Sequence, residues 1–155
     1  MSESGGTGRI SPAWVISLRR VKVAFGSDEK TDLTEFLLRA LGDCGHDVVL
    51  ACVDQPWPDV GRSVGEAVAS GVADRGVVCC WTGTGVSIAA NKVAGVRAAL
   101  CTDGETAGGA RRWNDANVLA VGLRLTSPAV AREMLDAFFS TDPDPREAER
   151  IAQLP

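Results

Sequence analysis

The sequence predicts an α/β fold, a parallel sheet covered by helices on both faces. Three observations predict it. Short apolar runs alternate with stretches of helical spacing along most of the 155 residues, the pattern of repeated strand–helix–strand units. One run, Val77 to Trp81, is apolar at successive positions, as a strand buried on both faces requires, and leads directly into Thr82-Gly83-Thr84-Gly85 and a helix start. Four predicted strand ends also carry polar residues: Ser27-Asp28, Trp57 to Asp59, Thr82 to Gly85 and Thr102-Asp103. Open sheets of this class bind ligands there, beyond the carboxyl ends of the strands.

In chain order, residues 1–18 read as a tail or strap and 19–155 as one domain. Met1 to Pro12 is rich in Ser and Gly and predicts disorder, without the basic start and apolar core of a signal peptide. Ala13 to Leu18 is apolar and includes Trp14, which suits a strap or a subunit contact. Val21 to Phe25 is the first strand, and Thr31 to Leu41 a helix with Leu33, Phe36, Leu37 and Ala40 on one face. Asp47 to Val53 is the second strand. Two prolines and Trp57 make Asp54 to Asp59 a loop, and small residues mark Val60 to Ala73 as a closely packed helix. After the central turn come a strand over Val96 to Cys101 and a polar, glycine-containing segment over Thr102 to Gly109. A short helix over Ala110 to Asn114 and a strand over Val118 to Val121 follow. Ser127-Pro128 opens the helix continued by Ala129 to Phe139, with a cap and then proline in the first turn. Asp142-Pro143-Asp144-Pro145 breaks the chain before a last short helix, Arg146 to Gln153.

Composition narrows the function. A net charge of -4 and a pI near 5.0 argue against a nucleic-acid binder. No apolar run is long enough to span a bilayer, so no membrane partner is expected. Five cysteines (Cys44, Cys52, Cys79, Cys80, Cys101) share no metal-ligand spacing, and their odd count suits a reduced, cytoplasmic protein in which most are small buried hydrophobes. The single histidine, His46, lies between two elements and is expected to face solvent.

The central turn is the chemical feature. Gly83 and Gly85 permit backbone angles that let amide N–H groups converge, and the following helix start adds unpaired donors and partial positive charge. Such a turn suits an anion or a developing oxyanion. Cys80 sits beside it, a candidate base or nucleophile. The turn is not a dinucleotide fingerprint, because a third glycine is missing and the preceding strand is the third rather than the first. It is equally readable, from spacing alone, as a plain connection.

The long run from Thr82 through Val86-Ser87-Ile88-Ala89-Ala90-Asn91-Lys92 to Cys101 resembles the signature of the ribose-5-phosphate isomerase B and galactose-6-phosphate isomerase family. Asn114-Asp115-Ala116-Asn117-Val118-Leu119 and Gly122-Leu123-Arg124 are similar to its next two motifs. The likeness extends from about Val21 to the C-terminus. It implies a Rossmann-like three-layer αβα sandwich with a five-stranded parallel sheet, in a homodimer or dimer of dimers with sites near the subunit interface. It implies aldose–ketose isomerisation of a small phosphorylated sugar through a cis-enediolate, without metal or organic cofactor. Ribose 5-phosphate and ribulose 5-phosphate are the default pair.

By the same resemblance, Cys80 stands where many members have the catalytic base. Thr82, Gly83, Thr84 and Gly85 match the turn whose N–H groups hold the enediolate oxygens. Asp28 and Asn114 match positions that contact sugar hydroxyls, and Arg124, Arg146 and Arg150 match arginines that grip phosphate, for which the guanidinium fork is well shaped. Arg146 and Arg150 are also readable as a solvated face of a terminal helix. The chain departs from the family at four places. Glu29 and Trp113 replace histidines, the second of which opens the sugar ring; Trp57 replaces a tyrosine and Trp81 a glycine. Trp57, Trp81 and Trp113 are expected around one pocket, narrowing it, or else packed at a dimer interface. Without the ring-opening histidine the enzyme needs an open-chain substrate, or an acid such as Asp28 or Asp59 substitutes. The alternative is a non-catalytic sugar-phosphate-binding or regulatory homologue.

Overall fold

The structure, a computed structural model, describes residues 19–155; the tail or strap read over 1–18 lies outside the described residues. Strands and helices alternate: β1 (Lys22–Ser27), α1 (Asp32–Asp43), β2 (Asp47–Val53), α2 (Trp57–Ala69), β3 (Arg75–Cys80), α3 (Thr84–Asn91), β4 (Ala98–Leu100), α4 (Gly104–Asn114), β5 (Val118–Gly122) and α5 (Pro128–Ser140). A 3₁₀ turn, Pro145–Glu147, and α6 (Ala148–Ile151) follow. Every strand pair is parallel, in the order β2-β1-β3-β5-β4. The α/β reading and the five-stranded parallel sheet are both borne out. Strand order reverses between β1 and β3, which opens a crevice at their carboxyl ends.

Alternation along each strand builds the three layers, because successive side chains point to opposite faces. Val77, Cys79, Leu119 and Val121 join the core beneath α1, α4 and α5, with Leu37, Leu41, Met134 and Phe138. Val78, Cys80, Val118 and Ala120 face the other way and meet Val60, Val64 and Val86 of α2 and α3. On that second face the small residues matter. A Cβ on Gly61 would lie 2.5 Å from the Ala89 Cβ and 2.8 Å from the Val86 carbonyl, so only glycine lets α2 and α3 approach this closely. Helix starts are capped from side chains, as their sequences require: Thr31 accepts from the Thr34 N–H, Asp103 from Thr106 and Ser127 from Val130.

The structure corrects three readings. Trp57 begins α2 rather than sitting in a loop, since Pro56 is its N-cap and Pro58 occupies the first turn, where a missing N–H costs nothing. α4 starts at Gly104, well before Ala110. The Asp103 cap offsets the low propensity of Gly108 and Gly109, and α5 packs beside Gly104 and Gly108. His46 does not face solvent: it is 7% exposed, with its ring centroid 4.5 Å from that of Phe139. Among the described residues no helix is long and apolar enough to cross a membrane.

Candidate active site

The polar residues expected at the strand ends converge along one edge of the sheet. β1 delivers Asp28, whose N–H donates to the Cys79 carbonyl at 3.2 Å and so ties the loop after β1 to β3. That loop is held from below by two buried hydroxyls: Ser27 Oγ donates to the Glu29 carbonyl at 2.7 Å and Thr34 Oγ1 at 3.1 Å. Thr34 went unremarked in the sequence; its spacing from the capping Thr31 was the available signal. β3 ends at Cys80, and the backbone beyond it is pinned to the loop after β5. Leu123 N–H donates to the Cys80 carbonyl and Arg124 N–H to the Trp81 carbonyl, both at 2.9 Å. Asp28, Cys80, Trp81 and Arg124 are thereby fixed in one row.

The turn between β3 and α3 has the expected geometry. Gly83 caps α3 with φ +77, the left-handed region that favours glycine. A Cβ there would meet Leu100 Cδ1 at 2.5 Å and the Gly122 N at 2.9 Å. Thr82 and Thr84 share a hydrogen bond between hydroxyls at 2.7 Å. The first N–H groups of α3 lack partners within the helix and face the same edge as the strand ends. Gly85 lies under the Trp57 ring, whose Cδ2 would be 3.0 Å from an added Cβ. Beside the turn a cavity of about 210 Å³ is walled by Trp81, Thr82, Leu100, Cys101, Gly122 and Arg124. Cys80 is not among its walls. It is 5% exposed and packs with the α2–α3 core.

Charge at this edge is under-satisfied. Asp28 Oδ1 is buried with no hydrogen-bond partner among the described residues. Burial first, and Glu29 second, raise the Asp28 pKa above its ordinary value. Arg124 is exposed and makes no ion pair among the described residues. Neighbouring thiols are poor candidates for chemistry at neutral pH: burial pushes Cys101 up to about 11 and Cys79 further still. No group of three or more His, Cys, Asp or Glu positioned for a metal ion occurs among the described residues.

The remaining expected residues lie elsewhere. α4 leaves the carboxyl edge at Gly104 and runs back toward the amino ends of the strands, about 16 Å for its length, so Trp113 and Asn114 sit at its far end. A groove of about 470 Å³ runs along α4 from Leu100 and Cys101 to these two residues. The three tryptophans therefore do not share one pocket: Trp57 covers Gly85, Trp81 walls the cavity and Trp113 folds back over Gly109. Arg146 and Arg150 are exposed on the C-terminal segment, which is tied to the end of α4 by Asp144 N–H donating to the Arg112 carbonyl at 2.8 Å. Each carries its own carboxylate, Arg146 with Asp144 at 2.6 Å and Arg150 with Glu147 at 2.8 Å. Arg146 holds the Asp144 carboxyl down to about 2.

Comparison with known proteins agrees with this architecture. The family described as Ribose/Galactose Isomerase matches residues 23–154. Ribose-5-phosphate isomerase B of Escherichia coli is 35% identical over 133 residues, 76% of this chain and 83% of that protein. D-erythrulose-4-phosphate isomerase of Pectobacterium atrosepticum is 41% identical over 86 residues, 56% of this chain and 57% of that protein. The solved structure of Clostridium thermocellum ribose-5-phosphate isomerase B superposes with a TM-score of 0.78 at 36% identity, covering 85% of this chain and 93% of its own. A parallel five-stranded sheet with a glycine turn after its central strand, matched over this length, leaves one conclusion: the chain belongs to the ribose/galactose isomerase family, whose members are sugar phosphate isomerases.

Proposed function

We propose that the chain interconverts an aldose phosphate and its ketose through a cis-enediolate, with Cys80 as base. The Cys80 thiolate takes the proton from the carbon beside the carbonyl, and the electron pair moves onto the carbonyl oxygen. The N–H groups of Thr82 to Gly85 stabilise the developing charge, a proton passes between the two oxygens, and the thiol returns its proton to the neighbouring carbon. Asp28 holds a sugar hydroxyl and Arg124 the phosphate. The observation that carries this reading is Gly83: its left-handed φ turns the free donors of α3 toward the strand end that bears Cys80.

Trp113 and Asn114 lie at the far end of α4, with Arg146 and Arg150 on the C-terminal segment tied to it, so in this proposal a second copy brings them to the carboxyl edge of the first, in a homodimer. The substrate is a small sugar phosphate, with ribose 5-phosphate and ribulose 5-phosphate as the reference pair; relatives named for a pentose and a tetrulose phosphate leave chain length open. One observation favours the non-catalytic alternative, the burial of Cys80.

Proton NMR in heavy water, starting from ribulose 5-phosphate, separates the two. Wild type is expected to introduce solvent deuterium into the sugar, and Cys80→Ala to slow this by about 10² to 10⁴. Exchange undiminished in Cys80→Ala removes Cys80 as base. Binding without exchange in wild type leaves the binding protein.

A further inference from the structure

Ring closure decides which sugar phosphates such a site can use. A base can take the proton beside a carbonyl only when the carbonyl is free, and aldopentose 5-phosphates and hexose 6-phosphates hold theirs in hemiacetal or hemiketal rings. Opening the ring requires one group to accept the anomeric hydroxyl proton and a second to donate to the ring oxygen. Near neutral pH that is work for imidazole or for a carboxyl with a suitably raised pKa.

This chain has one histidine and no tyrosine in its full sequence. His46 precedes β2, at the amino edge of the sheet, 7% exposed and against Phe139. Within the chain it lies at the edge opposite the glycine turn. The carboxyl groups at that edge are engaged or badly placed. Asp59 pairs with Arg62 at 2.6 Å. Asp103 caps α4, accepting from Thr106 N–H at 2.7 Å, which holds its pKa down. Glu29, Asp54 and Glu105 are exposed. Asp28 has the raised pKa, but its Oδ1 is enclosed without a partner among the described residues. Only one oxygen is left for a ligand, and a carboxyl that accepts and donates at once needs both.

Building on the isomerase reading above, we infer that this enzyme takes its substrate only in the open-chain form and is matched to four-carbon sugar 4-phosphates. Esterification of O4 removes the hydroxyl that would close a five-membered ring, so neither the aldotetrose nor the ketotetrose partner has a furanose form. No ring-opening group is needed. The cavity beside Arg124, about 210 Å³ and walled by Trp81, Leu100 and Leu125 together with Thr82, Thr102 and Thr126, is small for a ligand pocket and so favours a short sugar.

Three substrates test this. Erythrulose 4-phosphate is open-chain on both sides of the reaction. Ribulose 5-phosphate is also open-chain, because its O5 is esterified, whereas ribose 5-phosphate closes through O4. Initial rates are followed for each as enzyme is raised about tenfold. Erythrulose 4-phosphate turnover is expected to scale with enzyme throughout. Ribose 5-phosphate turnover is expected to level off at the uncatalysed ring-opening rate, with kcat/KM about a hundredfold or more lower, the contribution of a positioned acid–base group. Ribose 5-phosphate turnover that keeps scaling with enzyme beyond that rate overturns the inference. So does rapid turnover of ribulose 5-phosphate with none of erythrulose 4-phosphate. Absence of deuterium exchange into all three overturns it together with the isomerase reading, so the two failures are told apart.

Discussion

The two edges of the sheet invert the usual expectation about charge. The amino edge is the more basic: Arg19, Arg20, Arg75, Arg97 and Arg111 surround a basin of about 450 Å³ with Asp74 and Asp115. Yet its inner guanidiniums are engaged. Arg111 is 4% exposed and donates to Asp115, the Ala116 carbonyl and the Thr141 carbonyl. Arg97 donates to the side chain and carbonyl of Asp115, and Arg75 to the Phe138 carbonyl near the end of α5. The carboxyl edge has fewer arginines, but among the described residues Asp28 Oδ1 has no hydrogen-bond partner and Arg124 no ion pair, and α3 points free N–H groups outward. Unsatisfied polarity, rather than density of charge, is what singles out the candidate site. At the amino edge the arginines are fasteners, joining α4 and β3 to the end of α5.

Substitutions on the two edges should therefore move different observables. The largest effect is expected from Arg111→Met, which leaves Asp115 to Arg97 alone and removes the partner of the buried Ala116 carbonyl and of the half-buried Thr141 carbonyl: a loss of about 3–5 kcal/mol in urea unfolding, with KM unchanged where the protein remains folded. An unchanged unfolding midpoint would mean the amino edge is no fastener. Gly83→Ala comes next. It places a side chain at φ +77 and against the Gly122 backbone, at about 2–4 kcal/mol, and it tilts the N–H groups of the turn, so turnover and stability should fall together. Arg124→Ala is expected to raise KM for a phosphorylated substrate about ten- to a hundredfold, the usual worth of a charged hydrogen bond, while leaving thermal stability as it was. Loss of stability without a change in KM would make Arg124 a fastener too.

The smallest effect concerns Asp28. Its folded pKa lies above the unfolded value, so the native state holds that proton more tightly than the unfolded chain. The stability this contributes is fully present below the unfolded value of 3.8 and is lost as pH rises through the folded pKa. Asp28→Asn should accordingly be modestly more stable than wild type at neutral pH, with the difference closing in acid, as read from melting temperatures across that range. A gap that widens toward low pH would show the carboxylate to be stabilised rather than strained.

Much of the candidate site was legible in the sequence. The run Val77 to Trp81 with Gly83 announces a buried strand and a left-handed turn, because burial on both faces and a missing Cβ are written in residue type. Ser27-Asp28 announces a strand end for the same reason. Less legible was the tryptophan set. Residue type says that Trp57, Trp81 and Trp113 are large and apolar, but the direction of α4 decides that Trp113 lies a helix length from Trp81. Proline misled at Trp57, where Pro56 and Pro58 mark a helix start rather than a loop. Glycine misled at Gly108, where packing against α5 outweighs propensity, and at Gly109, over which the Trp113 ring folds.

By itself the sequence determined the order of elements, the faces of most helices and the absence of any second histidine, since periodicity and composition are properties of neighbouring residues. Only the tertiary structure decided which polar groups find partners. Arg75 meets Phe138 across 63 positions and Arg111 meets Thr141 across 30, and His46 is covered by Phe139 rather than by water. Hydrogen bonds are satisfied by whatever packing brings within about 3 Å, and no local pattern encodes a partner that far along the chain.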